Sequence, residues 1–342
     1  MPSVRLLVFT LLLAGALAAG SPAHAQQSSD ELADALEEVG AAYGERYVQP
    51  AVNALGADLN SGFFHKATVG EGLLPLVDVY AGVKAFGTLV PEEERTLSLS
   101  DQTQQEVTYR GETYLADVTY EIDEAPTIFG EQEPGQVTST ATFQADGQER
   151  TKEGSLDLLS GVYEAPAVPL GTPQVGVGVP MIGTHVSVRY LPRIGYGGLG
   201  SVQFAGGGVR HDVSSYIPLL PLGLSAYGFY QSLSIEGDQA GEGLDLSADL
   251  SAYALGVSAS KSLLVATVYG GLQYERTTAE VAYSFDPPGD EIDAQSAAFD
   301  LTGENSFRAL VGVSVGLGPA VLNVDLGQGQ RTVLSAGLGV SL

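Results

Sequence analysis

The sequence has 342 residues, of which 41 are acidic and 15 basic, so its formal net charge at pH 7 is −26. It contains no cysteine, which excludes disulfides, thiolate metal sites and an acylated N-terminal cysteine. So acidic a chain is a poor partner for nucleic acid, because phosphates are bound through basic side chains. Two explanations of the acidity stay open: solvated loop charge on a surface protein, or a halophile-like proteome in which salt screens repulsion.

The first 25 residues predict a signal peptide. Arg5 precedes an apolar run over residues 6–19, and "SPAHA" (Ser21–Ala25) ends in the Ala-x-Ala pattern of a cleavage site. The apolar run is short for a membrane span, although an uncleaved anchor is the alternative. We expect an exported chain that is mature from about Gln26.

Residues 26–67 predict a helical plug segment. Ser28 and Glu31 form a capping box, and a helical apolar stripe follows at Leu32, Leu36, Val39 and Tyr43. Gly44 and Pro50 predict a break in the helix. Because the stripe needs an apolar partner, we expect residues 28–56 inside a barrel mouth or against its periplasmic end. The candidate residues of the plug loop are Asn60, Phe63, Phe64 and His65.

Residues 68–342 are dominated by strand alternation, as in "LLVATVYGGLQYE" and "FRALVGVSVGLG". One face of these runs is apolar, while the other is small or polar and sparsely charged. That pattern favours lipid outside and a polar lumen inside, whereas a soluble β-sandwich, the alternative, has a charged outer face. We predict an all-β fold, an antiparallel transmembrane β-barrel of about 10–14 strands of about 9–11 residues each.

The connections between the strands are of two kinds. Short ones lie near Ser260 and Gly318, and longer acidic ones start at Glu236 and Asp286. This asymmetry, together with tyrosines near strand ends, is typical of outer-membrane barrels. An acidic insertion at about 91–155 predicts polar strands above a membrane or a partly disordered elaboration.

The final stretch, "RTVLSAGLGVSL", alternates strictly. We expect it to pair with the first strand, because an open sheet edge cannot sit in lipid. The residues predicted to face the membrane are Leu334, Ala336, Leu338, Val340 and Leu342.

Four charged or titratable residues on the opposite face are predicted to point into the lumen: His185, Arg189, Glu275 and Arg308. They pair with one another or line a path for an anionic solute. "GVSVG" (Gly312–Gly316) matches a nucleophile elbow but lies inside an alternating strand. The histidines lack metal-ligand spacing. We therefore expect no catalytic, cofactor or metal site.

Several stretches resemble an uncharacterised family of outer-membrane barrel proteins of the Bacteroidetes–Rhodothermota type. They include "YVQPAVNALGADLNSGFFHKA", "PQVGVGVPMIGTHVSVRYLPRI" and "LTGENSFRALVGVSVGLG". More distantly the chain is similar to fatty-acid outer-membrane channels (FadL-type), whose barrels are plugged by an N-terminal helical segment. The resemblance to outer-membrane barrels implies that the final strand addresses the chain to the barrel-assembly machinery.

The leading functional expectation is passive transport of a small hydrophobic solute through a plugged barrel in the outer membrane. Its partners would be outer-membrane lipid, the assembly machinery and the solute. The alternative is a closed structural barrel that displays acidic loops. An outer-membrane lipid-modifying enzyme is the weakest hypothesis, because it needs a serine or aspartate beside His185 or His211 on the lipid face.

Overall fold

A computed structural model describes residues 28–64, 67, 76–162, 166–195, 201–217, 219–239, 244–285 and 295–342. The predicted signal peptide and His65 lie outside these residues. Within these residues the chain forms one long helix, α1 (Ser28–Leu59), and fifteen strands. The first five strands are β1 (Asp78–Leu89), β2 (Thr96–Tyr109), β3 (Glu112–Pro126), β4 (Gln136–Ala145) and β5 (Gln148–Asp157). The next five are β6 (Ala167–Val179), β7 (Thr184–Gly195), β8 (Ser201–Asp212), β9 (Gly223–Gln239) and β10 (Leu244–Leu263). The last five are β11 (Ala266–Phe285), β12 (Gln295–Thr302), β13 (Phe307–Leu317), β14 (Ala320–Gln328) and β15 (Thr332–Ser341).

The chain divides into two compact units. One comprises Met1–Ala51 and Pro91–Ala165, and the other comprises Val52–Val90 and Pro166–Leu342. The boundary between the two units falls within α1, between Ala51 and Val52, so the expected plug segment, 26–67, belongs partly to each unit. The expected acidic insertion forms the rest of the first unit.

The second unit is a closed antiparallel barrel of ten strands. The ring runs β1, β6 to β11, β13, β14 and β15, and β12 pairs with the far half of β11. The ring closes where β1 pairs with β15, from Tyr80 opposite Ser341 to Thr88 opposite Val333. The predicted all-β barrel is confirmed, at the lower end of the expected strand number.

The barrel wall alternates between a buried inner face and an apolar outer face. In β15, Leu334, Leu338 and Val340 are 55%, 64% and 44% exposed, while Val333 and Ser335, on either side of Leu334, are buried. Leu342 is also exposed, and the smaller Ala336 is half-buried. Large apolar side chains are exposed in the same alternating way along β6, β7, β11, β13 and β14.

Exposed aromatic residues mark one level of the outer wall. Tyr274 contacts Tyr253 and Phe307, with ring centroids 6.2 and 5.4 Å away, and Tyr230 pairs in register with Tyr253. Below them, β11 pairs with β13 over the nine residues Ala266–Tyr274. That length matches the about 9–11 residues of a membrane-spanning strand.

The two ends of the barrel differ. One end, the short-turn end, carries the tight connections β6–β7, β10–β11 and β13–β14, the longer connection β8–β9 and the start of β1. The other, the long-connection end, carries the residues that join β1 to β6 and the end of β9. The turn expected near Ser260 lies further on, at Leu264–Val265, because Leu264 adopts a left-handed φ of 54° there and β10 continues to Leu263.

Helix α1 continues through the break expected at Gly44 and Pro50. A proline inside a helix removes one backbone hydrogen bond. That loss is offset by packing on either side: Tyr43 and Tyr47 are buried in the first unit, and Ala57 in the second. Among the described residues, no helix is long and apolar enough to cross a membrane.

The first unit contains a four-stranded antiparallel sheet in the order β2, β3, β4, β5. Its two tight hairpins turn at Arg110–Gly111 and Asp146–Gly147, where all four residues have positive φ, as the favoured two-residue turns require. The sheet packs against α1 through Tyr47, whose hydroxyl donates to the Ser160 carbonyl at 2.9 Å. Burial raises the pKa of Tyr47 well above its usual range. The 91–155 region is thus a folded sheet wherever it is described.

Candidate functional site: the lumenal plug

The barrel lumen is occupied by the chain's own residues 52–64 and 67, here called the plug. At its start, Asn53 Oδ1 accepts from the Glu304 amide at 3.1 Å, at the long-connection end. At its end, the Ala67 amide donates to Ser260 Oγ at 3.2 Å, near the turn of the short-turn end. The plug therefore passes through the barrel from one end towards the other.

The plug consists of the last turns of α1 and the loop that follows. The last carbonyls of a helix have no partner within the helix, so the end of α1 brings unsatisfied acceptors into the lumen. Gly62 has a φ of 60°, a conformation that favours glycine and turns the chain after a helix. Asn60 and Ser61 of the plug itself donate to the carbonyls of Gly56, Ala57 and Asp58, and the barrel wall supplies donors to carbonyls from Leu59 onwards.

Three glutamines of the wall donate to plug carbonyls. Gln273 of β11 donates to the Asn60 carbonyl at 2.8 Å, and Gln174 of β6 to the Phe63 carbonyl at 3.1 Å. Gln231 of β9 donates to the Leu59 carbonyl. All three glutamine side chains are buried. Two strands therefore cap the end of α1 through Gln231 and Gln273, and a third binds the loop that follows through Gln174.

Arg189 of β7 binds the next two carbonyls. Its Nη1 donates to the Ser61 carbonyl at 3.0 Å, and its Nη2 to the Gly62 carbonyl at 2.5 Å. The same guanidinium donates to Gln174 Oε1 at 2.9 Å and Gln231 Oε1 at 3.1 Å. Arg189 is fully buried, and no described carboxylate lies within salt-bridge distance of it. At hydrogen-bond distance its charge is compensated by carbonyl and amide dipoles, and the Asp325 carboxylate acts on it from farther away.

Arg308 of β13 approaches the plug from another strand. Its Nη2 forms a salt bridge of 2.8 Å with Glu275, and its Nη1 donates to Ser61 Oγ. Glu275 also accepts from Gln273 Nε2 at 2.6 Å. This buried pair is compensated internally, which is the usual condition for a charge away from water.

Aromatic rings of the plug pack against the wall. Phe63 stacks on Phe229, with centroids 4.7 Å apart and planes 4° apart, and lies 4.6 Å from the Arg189 guanidinium carbon. Phe64 contacts Tyr227 at 5.3 Å and lies 5.3 Å from Arg210. Stacking and cation–π contacts of this kind add stabilisation beyond the buried area.

One acidic side chain anchors the helical part of the plug. Asp58 Oδ1 accepts from Thr88 Oγ1 at 2.6 Å, and both side chains are buried. Asp58 Oδ2 has no hydrogen-bond partner among the described residues. Burial raises the pKa of Asp58 from 3.8 to about 8, although Thr88 and Arg308 partly oppose the shift.

The plug leaves little free space in the described lumen. A cavity of about 30 Å³ lies beside Asn60 and Phe64, lined on the wall by Tyr269, Gln273 and Asp325. Such a volume holds no more than a water molecule or two. The interior wall is polar at many described positions, with Lys84, Arg210 and Glu275 all buried. The space beside Asn60 and Phe64 is therefore too small for a solute larger than water, whereas a wider cavity of about 370 Å³ lies beside β10, β11 and β12.

All four residues predicted to face the lumen are buried in the barrel unit. Glu275 and Arg308 pair with each other, and Arg189 binds the plug. His185 Nδ1 lies 3.2 Å from Ser187 Oγ, and both side chains are buried. This serine–histidine pair is therefore turned away from the outer face that a lipid-modifying enzyme would use.

Sequence reasoning missed the glutamines and Asp58. Gln174, Gln231 and Gln273 are long polar residues on an inward face otherwise rich in glycine and serine, and that contrast is the signal that could have identified them. No sequence pattern indicates that they converge, because they belong to three different strands. No group of three or more His, Cys, Asp or Glu able to hold a metal ion occurs among the described residues.

The model of one protein family matches residues 1–342, and its description is "Family of unknown function (DUF6588)". An uncharacterised family is what the sequence motifs led us to expect. None of the curated proteins compared with the chain matches it.

Solved structures similar to the chain include outer-membrane barrels. The translocator domain of the autotransporter NalP from Neisseria meningitidis is 12% identical at a TM-score of 0.26, with 90% of this chain and 97% of that chain covered. The transport unit of the autotransporter AIDA-I from Escherichia coli is 12% identical at a TM-score of 0.29, with 85% and 98% covered. A variant of the monoaromatic hydrocarbon channel TodX is 10% identical at a TM-score of 0.22, with 84% and 94% covered. At these scores the likeness supports no functional argument.

Proposed function

Because the chain belongs to the DUF6588 family, whose function is unknown, its role must be inferred from its own residues, and we propose that it is a gated outer-membrane channel. The plug closes the lumen at rest, and passive transport of a small solute follows when the plug leaves. The observation that supports this proposal is the plug itself: a segment of the same chain, held in the lumen by side chains of several strands.

The outer face supports a membrane location. Apolar side chains are exposed along nearly every strand of the ring, and the aromatic residues above them suit a lipid interface. In water such a surface would drive association. We place the chain in the outer membrane, in contact with lipid, and delivered there by the barrel-assembly machinery through β15. The distant relation to FadL-type channels stays a prediction.

Noncovalent contacts hold the described plug, which a gate requires. These contacts are hydrogen bonds, one stacked ring and cation–π contacts. Each contributes about 0.5–3 kcal/mol, so a ligand or a change of conditions can shift the balance between closed and open states.

The gate is tested by weakening one plug contact. Phe63→Ala removes the stacked ring, and this should weaken the free energy of docking the plug by about 3–5 kcal/mol. Reconstituted in planar bilayers, this variant is expected to open far more often than the wild type. Phe307→Ala is the matched control, since its ring is exposed on the outer wall, and it should conduct like the wild type.

The structural barrel is the second candidate, and the tightly filled lumen is the observation that favours it. If the barrel is purely structural, its loops display acidic charge and nothing crosses it. Phe63→Ala would then conduct no more than Phe307→Ala in the same bilayers. That result would overturn the channel proposal in favour of the structural barrel.

A further inference from the structure

Arg189 is the most unusual group in the barrel interior, because it is a fully buried guanidinium that no described carboxylate contacts directly, Asp325 acting on it only from a distance. A buried charge is normally paired with an opposite charge, since dipoles compensate desolvation only in part. The protein instead offers Arg189 two consecutive backbone carbonyls of the plug, at 3.0 and 2.5 Å. The plug takes the place that an anion would fill.

The geometry of those two contacts suits an anion that offers two oxygens, such as a carboxylate. Nη1 and Nη2 each donate to a separate oxygen, one on Ser61 and one on Gly62. A carboxylate presents two oxygens to a guanidinium in the same forked arrangement, and with a full negative charge. When the plug leaves, Arg189 is therefore presented to the lumen with its bidentate face free.

The surroundings of Arg189 add a second requirement. The Phe63 ring fills a slot against Phe229, 4.7 Å away, and beneath the guanidinium, 4.6 Å away. Phe86 lies 5.1 Å from the same guanidinium carbon. The departing plug thus vacates an aromatic slot beside the anion position. Gln174 and Gln231, which already bind the guanidinium, hold it in place.

We propose that the open lumen binds a small carboxylate that carries a planar ring, with the carboxylate on Arg189 and the ring against Phe229. The plug residues Ser61, Gly62 and Phe63 occupy this site in the closed state, so ligand and plug compete. This inference rests on the proposed gate. It also joins the two solute properties considered from the sequence, an apolar body and an anionic group.

The competition is measured with a cysteine reporter in the full-length chain. The chain has no cysteine, and Ala57 of the plug is fully buried, so the thiol of Ala57→Cys is shielded while the plug is docked. A water-soluble methanethiosulfonate reagent then reports plug release. The probe is sodium benzoate, at about ten times its dissociation constant for the open lumen. It is expected to raise the modification rate about tenfold, because it binds only the open state and multiplies the open population by one plus the ratio of its concentration to that constant.

Matched compounds and variants sharpen the test. Benzyl alcohol, which has the ring without the charge, is expected to leave the rate unchanged, and acetate to have a much weaker effect than benzoate. In Arg189→Gln the rate should no longer respond to benzoate. In Arg193→Gln, an exposed arginine of the same strand, the response should persist.

Failure of this inference is separable from failure of the gate. If Phe63→Ala raises the modification rate of the reporter while benzoate does not alter the rate with Phe63 intact, the gate stands and the carboxylate site is wrong. A response to benzoate that survives Arg189→Gln also overturns the site. If Phe63→Ala leaves the thiol shielded and benzoate has no effect, the gate and the site are both wrong.

Discussion

Asp58 shows how a single side chain can shift the equilibrium between the closed and open states of the gate. Its carboxyl is buried, and only one of its two oxygens has a described partner, Thr88. The docked carboxyl binds its proton more tightly than a carboxyl in water, because its pKa is raised from 3.8 to about 8. Docking is therefore strongest at acid pH and weakens as the pH rises towards about 8, where the carboxyl ionises.

The first prediction follows from that pKa. The open probability in bilayers should rise between about pH 5 and pH 8, by at most about tenfold for each pH unit. In Asp58→Asn the rise should be lost, because the amide keeps the hydrogen bond from Thr88 and does not titrate. An equal pH dependence in wild type and variant would show that Asp58 does not control docking.

At the scale of elements, the plug depends on close approach between α1 and β11. A Cβ atom added at Gly56 would lie 2.6 Å from Thr277 Oγ1 and 2.8 Å from its Cβ. Alanine stabilises an isolated helix by about 1 kcal/mol relative to glycine. In the docked plug the steric conflict opposes that gain. Helix propensity therefore predicts that Gly56→Ala stabilises the docked plug, whereas the contact with Thr277 predicts that it weakens docking.

The second prediction is that Gly56→Ala opens the channel. Its open probability should rise several-fold in spite of the better helix former. Gly87→Ala is the matched control, because the nearest atom to its added Cβ is 3.7 Å away, and it should conduct like the wild type. A Gly56→Ala channel that stays closed would show that α1 does not dock at this distance.

Alternation along β15 allows its pairing and outer face to be predicted from sequence, because side chains of a strand alternate with period two and each face has one environment. The convergence of Gln174, Gln231 and Gln273 on the helix end and the loop after it could not be predicted in this way. It depends on the shear of the closed ring, which aligns residues of distant strands. The helix break predicted at Pro50 is wrong for a related reason. Packing of the residues on both sides of Pro50 overrides the low helix propensity of proline.

At the scale of the whole molecule, two surfaces of equal exposure should behave differently. Leu338 on the barrel wall is 64% exposed, and Leu115 on the four-stranded sheet is 63% exposed. If the barrel wall faces lipid, Leu338→Arg should make the free energy of folding into bilayers less favourable by about 2–4 kcal/mol. Leu115→Arg should change it by about 0.5 kcal/mol or less. Equal effects of the two substitutions would contradict a lipid-facing wall.

The same assignment predicts the behaviour of the purified chain on a gel. A folded barrel in detergent resists unfolding until it is heated, so its migration should differ before and after boiling. A chain that stays soluble without detergent and migrates identically in both cases would contradict the membrane assignment.

The most direct test of the gate is to lock the plug. Asp58 and Thr88 are in side-chain contact at 2.6 Å, so the double variant Asp58→Cys, Thr88→Cys places the chain's two cysteines together, with no other thiol present. We predict that the oxidised variant stays closed in planar bilayers and that reduction of the disulfide restores openings. Conductance that is the same in the oxidised and reduced states, with the disulfide verified by mass spectrometry, would contradict a plug that gates the barrel.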